Sequence, residues 1–228
     1  MVDKPPAALE DRGCAQDGRR FSPSAARNRE PVRDALAQVL DGTVHLLEVA
    51  SGTGEHGAFL TAGLPGLSWT YSDIDPDSLA SQRAWQGADE TGRLNGPLRI
   101  DASTDDWGSA ETAPPWDVIF SANMIHIAPW PAATGLLRGA GRLLQPGGYL
   151  ILYGPFARSG AIAPSNAAFD ENLKSRNPDW GVRDLDMDIL PLACASGLEL
   201  FAVTQMPANN LTVFFRRVQA FAVQLSVS

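Results

Sequence analysis

The 228 residues carry a formal net charge of −8, with 44% hydrophobic and 19% charged residues, the balance of a globular chain able to bury a core. That acidity, with no Lys/Arg grouping beyond Arg19-Arg20, Arg27 and Arg29, argues against an electrostatic grip on nucleic acid. Cys14 and Cys194 stand too far apart to suggest a disulfide framework or a zinc site, and no apolar run approaches a membrane span; the expectation is a soluble cytoplasmic protein, free of metal, that binds neither nucleic acid nor membrane.

Residues 1–18 are rich in Pro, Gly, Ala and charge and show no apolar period, which predicts a disordered tail ahead of a single domain over 19–228. Val32, Ala35, Leu36, Val39 and Leu40 fall at helical spacing, so a helix is predicted from Pro31 to Leu40, stopped by Asp41-Gly42. With Arg27, Asn28 and Glu30 ahead of it, this segment reads either as an exposed first turn or as a lid. Val44–Val49 reads as a buried strand entering Gly52-Thr53-Gly54-Glu55-His56-Gly57, and a helix over Glu55–Ala62 follows. Gly52, Gly54 and Gly57 satisfy G-x-G-x-x-G in the strand–turn–helix setting that gives this motif meaning, and Asp73 answers it after a second strand, Leu67–Ser72.

Pro76 opens the next helix, Pro97–Ile100 reads as a third strand and Trp116–Ser121 as a fourth, apolar enough to be covered on both faces. A helix over Pro131–Leu144 precedes a fifth strand, Tyr149–Tyr153. Residues 157–182 form a long polar segment with some helix near 167–175, the size of a lid or specificity element. A helix at 186–195 leads to two strands, Leu198–Gln205 and Leu211–Val218, whose short connection requires antiparallel pairing. The strand–helix alternation predicts an α/β fold: a doubly wound, Rossmann-like, seven-stranded sheet, mostly parallel, closed by an antiparallel C-terminal hairpin.

Ligands of open α/β sheets bind at the carboxyl ends of the strands. Those ends carry Glu48, Asp73, Asp101, Ser121 with Asn123, and Tyr153. Asp73 suits the vicinal hydroxyls of a ribose, and Asp101 suits an exocyclic adenine amine. Glu48 beside the glycine turn would repel a pyrophosphate, which favours a cationic nucleoside without phosphate.

Glu48-Val49-Ala50-Ser51-Gly52-Thr53-Gly54 resembles the first motif of class I S-adenosylmethionine-dependent methyltransferases, with Ala50 where that motif usually has its first glycine. Tyr71-Ser72-Asp73-Ile74-Asp75 resembles the ribose-binding second motif, Ile100-Asp101-Ala102 the adenine-contacting third, and Asp117 to His126 the fourth. Phe21 to Asn28, Ala50 to His56, Leu152 to Phe156, Ser165 to Asp170 with Ser175-Arg176 and Trp180-Gly181, and Met206 to Asn210 resemble the methyltransferase-like 26 family, formerly a domain of unknown function, over about residues 19–218.

The resemblance implies S-adenosylmethionine as cofactor, with S-adenosylhomocysteine as product, and methyl transfer to O, N or S of a small molecule. It implies that Glu48, Ala50, Gly52 and Gly54 shape the methionine site, with Asp73 at the ribose and Ile74 against the adenine face. Asp101 and Ala102 would meet the adenine edge, Ser121 and Met124 would border the sulfonium, and Asn28 would close over it. His126 and Tyr153 are the candidate bases; His126 could instead cap or pack the following helix, and Tyr153 could be a rim hydrogen-bonder. His56 would orient the loop or lie beside the cofactor. Asn123, Asn166, Arg176, Asn209 and Asn210 are candidate acceptor contacts, or satisfy loop backbone. Two other readings compete: a nicotinamide-dependent oxidoreductase, weakened by Glu48, and a catalytically silent binding protein.

Overall fold

A computed structural model describes Glu10 and residues 12–218. The disorder expected over 1–18 falls outside the described residues at 1–9 and 11, and differs from the structure beyond them. Gly13–Cys14 (β1) pairs antiparallel with Arg20–Phe21 (β2). The ribbon is held from outside itself: Trp85 Nε1 donates to Arg20 O at 3.2 Å, Arg20 N donates to Ser81 Oγ at 2.9 Å, and the Phe21 ring meets Trp85 edge-on. Strands of two residues have no periodicity to read, so such an anchor leaves no local signal.

The first helix, α1 (Pro23–Leu36), starts eight residues before the expected Pro31. Ser22 caps it, its side chain accepting from Ala25 N at 3.1 Å, with Pro23 in the first turn. Pro31 sits inside the helix. Both prolines suit a first helical turn; only the serine before Pro23 distinguishes them.

The remaining elements are β3 (Val44–Glu48), α2 (Glu55–Gly63), β4 (Leu67–Asp73), α3 (Pro76–Gly87), β5 (Leu94–Arg99), α4 (Ser109–Thr112) and β6 (Trp116–Ala122). After a 3₁₀ turn (Met124–His126) come α5 (Trp130–Leu143), β7 (Leu144–Gly154) and α6 (Pro164–Arg176). A π turn (Leu185–Ile189) runs into α7 (Leu190–Ala195), and β8 (Leu198–Met206) and β9 (Asn210–Arg217) close the chain. Strand β7 begins five residues earlier than Tyr149, because Pro146-Gly147-Gly148 lies in an irregular stretch where the register against β6 shifts.

The seven-stranded order is β5-β4-β3-β6-β7-β9-β8. Pairs from β5 through β7 are parallel, and β9 is antiparallel to both β7 and β8. This is the expected α/β sheet with its antiparallel closing hairpin. Alternation along each strand divides the core in two. Leu46, Trp69, Phe120, Ile151 and Phe214 pack under Val32 and Leu36 of α1 and Leu60 of α2. Leu47, Ile119, Leu150, Val213 and Phe215 pack under Leu136, Leu137 and Ala140 of α5. The order reverses at β3, which has β4 on one side and β6 on the other, so the rim beyond β3 is the topological switch point where such sheets bind ligands. Among the described residues no helix is long and apolar enough to cross a membrane.

Candidate functional site

The turn after β3 is left-handed at three places: Ala50 (φ +62°), Gly52 (φ +55°) and Gly54 (φ +86°). Gly54 starts α2 in a conformation that L side chains resist. Gly57 answers a different need, close approach: a Cβ there would fall 2.7 Å from Trp69 Nε1 and closer still to the Tyr71 ring. The third glycine thus lets α2 sit down on β4, the packing role this position has in dinucleotide folds.

What fixes the turn is a set of hydrogen bonds from behind. Three successive carbonyls are held: Gly52 O by Gln82 Nε2 at 3.0 Å, Thr53 O by Ser81 Oγ at 2.7 Å, and Gly54 O by Tyr71 Oη at 2.7 Å. Gly52 N donates to Asp73 Oδ2 at 2.9 Å, while Asp73 Oδ1 accepts from the N–H groups of Ile74 (2.8 Å) and Asp75 (3.0 Å). The first N–H groups of α2 have no intrahelical acceptor. Ser81 and Gln82 of α3, both buried, carry the support of the carbonyls, and Ser78, also buried, bonds Asp75 at the start of its own helix. Their spacing with Trp85 (i, i+3, i+4, i+7) is a small and polar stripe where a core helix should be apolar, a signal that could have identified them from sequence.

In front of the turn lies a cavity of about 360 Å³, lined by Val49, Ala50, Ile74, Ile100, Asp101, Ala102, Ser103, Met124, Ala128, Pro129, Pro131 and Ala132. Five expected site residues meet here: Ala50, Ile74, Asp101, Ala102 and Met124. Asp101 Oδ1 accepts from Ser103 N at 2.9 Å and Ser103 Oγ at 2.6 Å. Ile74 is half exposed, an apolar shelf over the opening. Pro129 and Pro131, flanking Trp130, form a wall not expected from sequence. A second cavity, about 120 Å³, lies at the opposite end of β3 among Ala37, Leu40, Val44, Leu64 and Leu67 and carries no polar side chain.

Other expected residues group on the far side of the sheet. Glu48 shares the face of Val44 and Leu46 and is buried beneath α1 and α2 rather than facing the cavity. Trp69 Nε1 donates to its Oε2 at 3.0 Å, and burial pushes its pKa up to about 8. His56 Nδ1 lies 3.9 Å from Glu48 Oε1, beyond hydrogen bonding. His56 Nε2 contacts Asn28 Oδ1 at 2.7 Å. An amide oxygen only accepts, so Nε2 carries the hydrogen and Nδ1 the lone pair. Burial, with the nearby Arg29, draws the His56 pKa down to about 4.

The 3₁₀ turn places His126 deeper than a catalytic base requires. It is fully buried, its Nδ1 accepts from Arg183 N at 3.2 Å, and its ring meets Phe156 edge-on at 4.8 Å. That bond puts the hydrogen on Nε2, which has no partner among the described residues, so no basic nitrogen is left to take a proton. Burial, then the Arg183 charge, draws its pKa down to about 3. The packing role is the one this geometry gives His126. Ser121 is buried too, its Oγ donating to Val49 O at 2.8 Å.

Among the expected acceptor contacts, Asn123 (φ +62°) follows β6, its N donating to Tyr153 O at 2.7 Å. Asn166 Nδ2 donates to Asn209 O, and Asn209 Nδ2 to Ser165 Oγ, each at 2.9 Å. They tie α6 to the β8–β9 turn, where Asn210 Nδ2 donates to Pro207 O at 3.1 Å. Arg176 is exposed on the last turn of α6, about 15 Å along the axis from Asn166, and does not share a site with it.

Solved structures with this sheet include an O-methyltransferase family protein from Burkholderia thailandensis (TM-score 0.71, 16% identity), covering 86% of this chain and 58% of that one. Human N-acetylserotonin methyltransferase in complex with SAM (TM-score 0.69, 16% identity) covers 86% of this chain and 53% of that one. An O-methyltransferase family 2 protein from Planctomyces limnophilus in complex with apigenin (TM-score 0.68, 20% identity) covers 86% and 60%. At these identities the likeness establishes the fold, the Rossmann-like sheet of methyltransferases, and the chain spans a little over half the length of these relatives. Among curated proteins, reducing polyketide synthase Preu2 from Preussia isomera is 32% identical over 108 residues, 47% of this chain and 4% of that protein. The family model that matches is DUF938, described as a protein of unknown function, and it runs over residues 19–217, from the ribbon before α1 to the end of β9. With every element of the switch-point rim inside that match, the chain belongs to the DUF938 family.

Proposed function

We propose that the chain is an S-adenosylmethionine-dependent methyltransferase acting at O, N or S of a small-molecule acceptor, of the methyltransferase-like 26 kind that its motifs resemble. The carrying observation is the cavity beside the turn after β3: apolar walls, the Asp101 carboxylate, and no Lys or Arg among the lining residues. A wall with a carboxylate and no cation suits a nucleoside without phosphate better than a pyrophosphate. The relatives crystallised with SAM or SAH support the same choice.

When bound, the cofactor supplies an electrophilic methyl group on a sulfonium. The chain's own part is positioning and exclusion of water. Ile74, Met124 and Pro129 offer apolar walls for a purine, and Asp101 keeps one carboxylate oxygen for its amine. Asp73 sets the turn first and meets a ribose hydroxyl second. We assign α1 and the 157–182 segment to covering the rim.

The test is thermal: S-adenosylhomocysteine is expected to raise the melting temperature and NADH to leave it unchanged. The reverse ranking overturns the reading. Transfer of a labelled methyl group into a metabolite extract then identifies the acceptor.

A further inference from the structure

One wall of the cavity is the stretch after β6: Met124 opens the 3₁₀ turn, and Ala128, Pro129 and Pro131 follow it. A turn this short ends with carbonyls that have no helical donor. The carbonyls of Ile125, His126 and Ala128 find theirs in one strip far along the chain, residues 181–183. Arg183 Nε donates to Ile125 O at 3.0 Å, Arg183 Nη2 to Ala128 O at 3.1 Å, and Gly181 N to His126 O at 2.9 Å. Arg183 N donates to His126 Nδ1 at 3.2 Å, which makes the buried imidazole the spacer between strip and turn. The guanidinium also lies over the Trp130 ring, 5.2 Å from its centroid, between the two wall prolines. Among the described residues Arg183 forms no ion pair; its charged donors go to main-chain carbonyls.

The other side of the strip is tied to the segment that covers the rim. Val182 N donates to Asp170 Oδ1 of α6 at 2.8 Å, and a Cβ at Gly181 would fall 2.8 Å from that same oxygen. Ala157 N, just past β7, donates to Arg183 O at 3.1 Å. Bonds therefore run without a gap from α6 through the strip to the cavity wall. The main-chain bonds of Gly181 and Arg183 hold the strip against His126 whatever side chain stands at 183. Only the guanidinium reaches Ile125 O and Ala128 O together, a span that suits a rigid planar fork and not a single ammonium.

We propose that Arg183 is a positioning residue for the cofactor: by holding the Ile125 and Ala128 carbonyls it keeps Met124, Ala128 and Pro129 in place as a wall of the cavity. His126 serves the same end as the spacer that sets how closely the strip approaches. The identity of the ligand rests on the methyltransferase reading, whereas the bracing of the wall does not.

Two measurements on Arg183→Gln test the proposal. In the unloaded protein, His126 N and Ile127 N bond inside the turn, to Asn123 O and Met124 O. Their amide hydrogen exchange is expected to quicken about tenfold, with β3 and β6 at parent rates. Calorimetric titration well below the melting temperature is expected to show S-adenosylhomocysteine bound about tenfold more weakly. A purely structural role would lower the melting temperature and leave that affinity alone. Arg183→Lys keeps the charge but holds one carbonyl at a time, so a loss of about threefold is expected; should the glutamine variant not fold, the lysine variant carries both measurements. Parent-like exchange in the turn, or exchange that quickens equally in β3 and β6, overturns the proposal. So does parent-like affinity in either variant. A parent chain that does not bind S-adenosylhomocysteine overturns the methyltransferase reading instead, and the exchange comparison, made without ligand, still decides whether Arg183 holds the wall.

Discussion

On the α5 side of the sheet, the strand ends open on a cavity whose wall is backbone and apolar side chain. On the α1 and α2 side, the same strand ends close over a packed row of polar groups: Glu48, His56, Asn28 and Tyr153. The first arrangement leaves shape and a few polar points for a ligand. The second has its polar groups mostly matched to one another. Carboxylates of the same rim therefore play different parts. Asp101 lines the cavity, Glu48 is shut beneath the helices, and Asp73 lies between them, fastening the turn that both regions share.

Removing that shared fastening is expected to have the largest effect. Asp73→Ala strips a charged acceptor from the N–H groups of Gly52, Ile74 and Asp75. Hydrogen bonds to charged groups contribute about 1.5–3 kcal/mol each and are partly redundant here, so about 3–5 kcal/mol of stability is expected to go. In a chain of this size that lowers the melting temperature by roughly 10 °C, and nucleoside binding should weaken with it. A shift under about 3 °C would mean that the turn is held by Gln82, Ser81 and Tyr71 alone.

The polar region can be tested separately through pH. Glu48 has a folded pKa of about 8 against an ordinary 4.5, so the folded state keeps a proton that the unfolded chain has lost. The stability from Glu48 is complete below pH 4.5 and is lost as pH rises through 8. His56 and His126 act oppositely: with pKa values lowered to about 4 and about 3, their contribution is present above 6.5 and lost as pH falls through those values. Between pH 6.5 and 8 only Glu48, of these three, is changing, and the expected loss there is about 2 kcal/mol. Glu48→Gln keeps an acceptor for Trp69 and removes the titration, so its stability should be flat over that window. A variant that declines as steeply as the parent would take Glu48 out of the account.

The comparison also separates what was legible in the sequence from what was not. The strands read at Val44, Leu67, Pro97 and Trp116 located the strand ends and with them the cavity residue Asp101, while Ala50 and Met124 came from the motifs the chain resembles. Those side chains meet the ligand region because backbone geometry puts them there. Glu48 was harder because its direction matters. Its period-two partners are Val44 and Leu46, which pack under α1 and α2, so the alternation held the answer that position at a strand end obscured. For His126 and Asn166 no local pattern existed: their partners, Arg183 and Asn209, lie 57 and 43 residues away.

The smallest expected effect sits where the two regions meet. Ala50 occupies the left-handed region at φ +62°, where the first motif usually has glycine, and its side chain lines the cavity. A Cβ in that conformation costs roughly 1–2 kcal/mol, while glycine gives part of this back through greater freedom of the unfolded chain. Ala50→Gly is therefore expected to raise stability by about 0.5–1 kcal/mol, or about 2 °C in melting temperature. Equilibrium denaturation checks the sign. If stability falls, the methyl group contributes more through packing beside Val49 and Met124 than its backbone strain removes, and Ala50 belongs to the ligand wall by its side chain. If stability rises while S-adenosylhomocysteine affinity drops, the strained alanine is retained for the ligand, and the fold gives up that much stability to keep it.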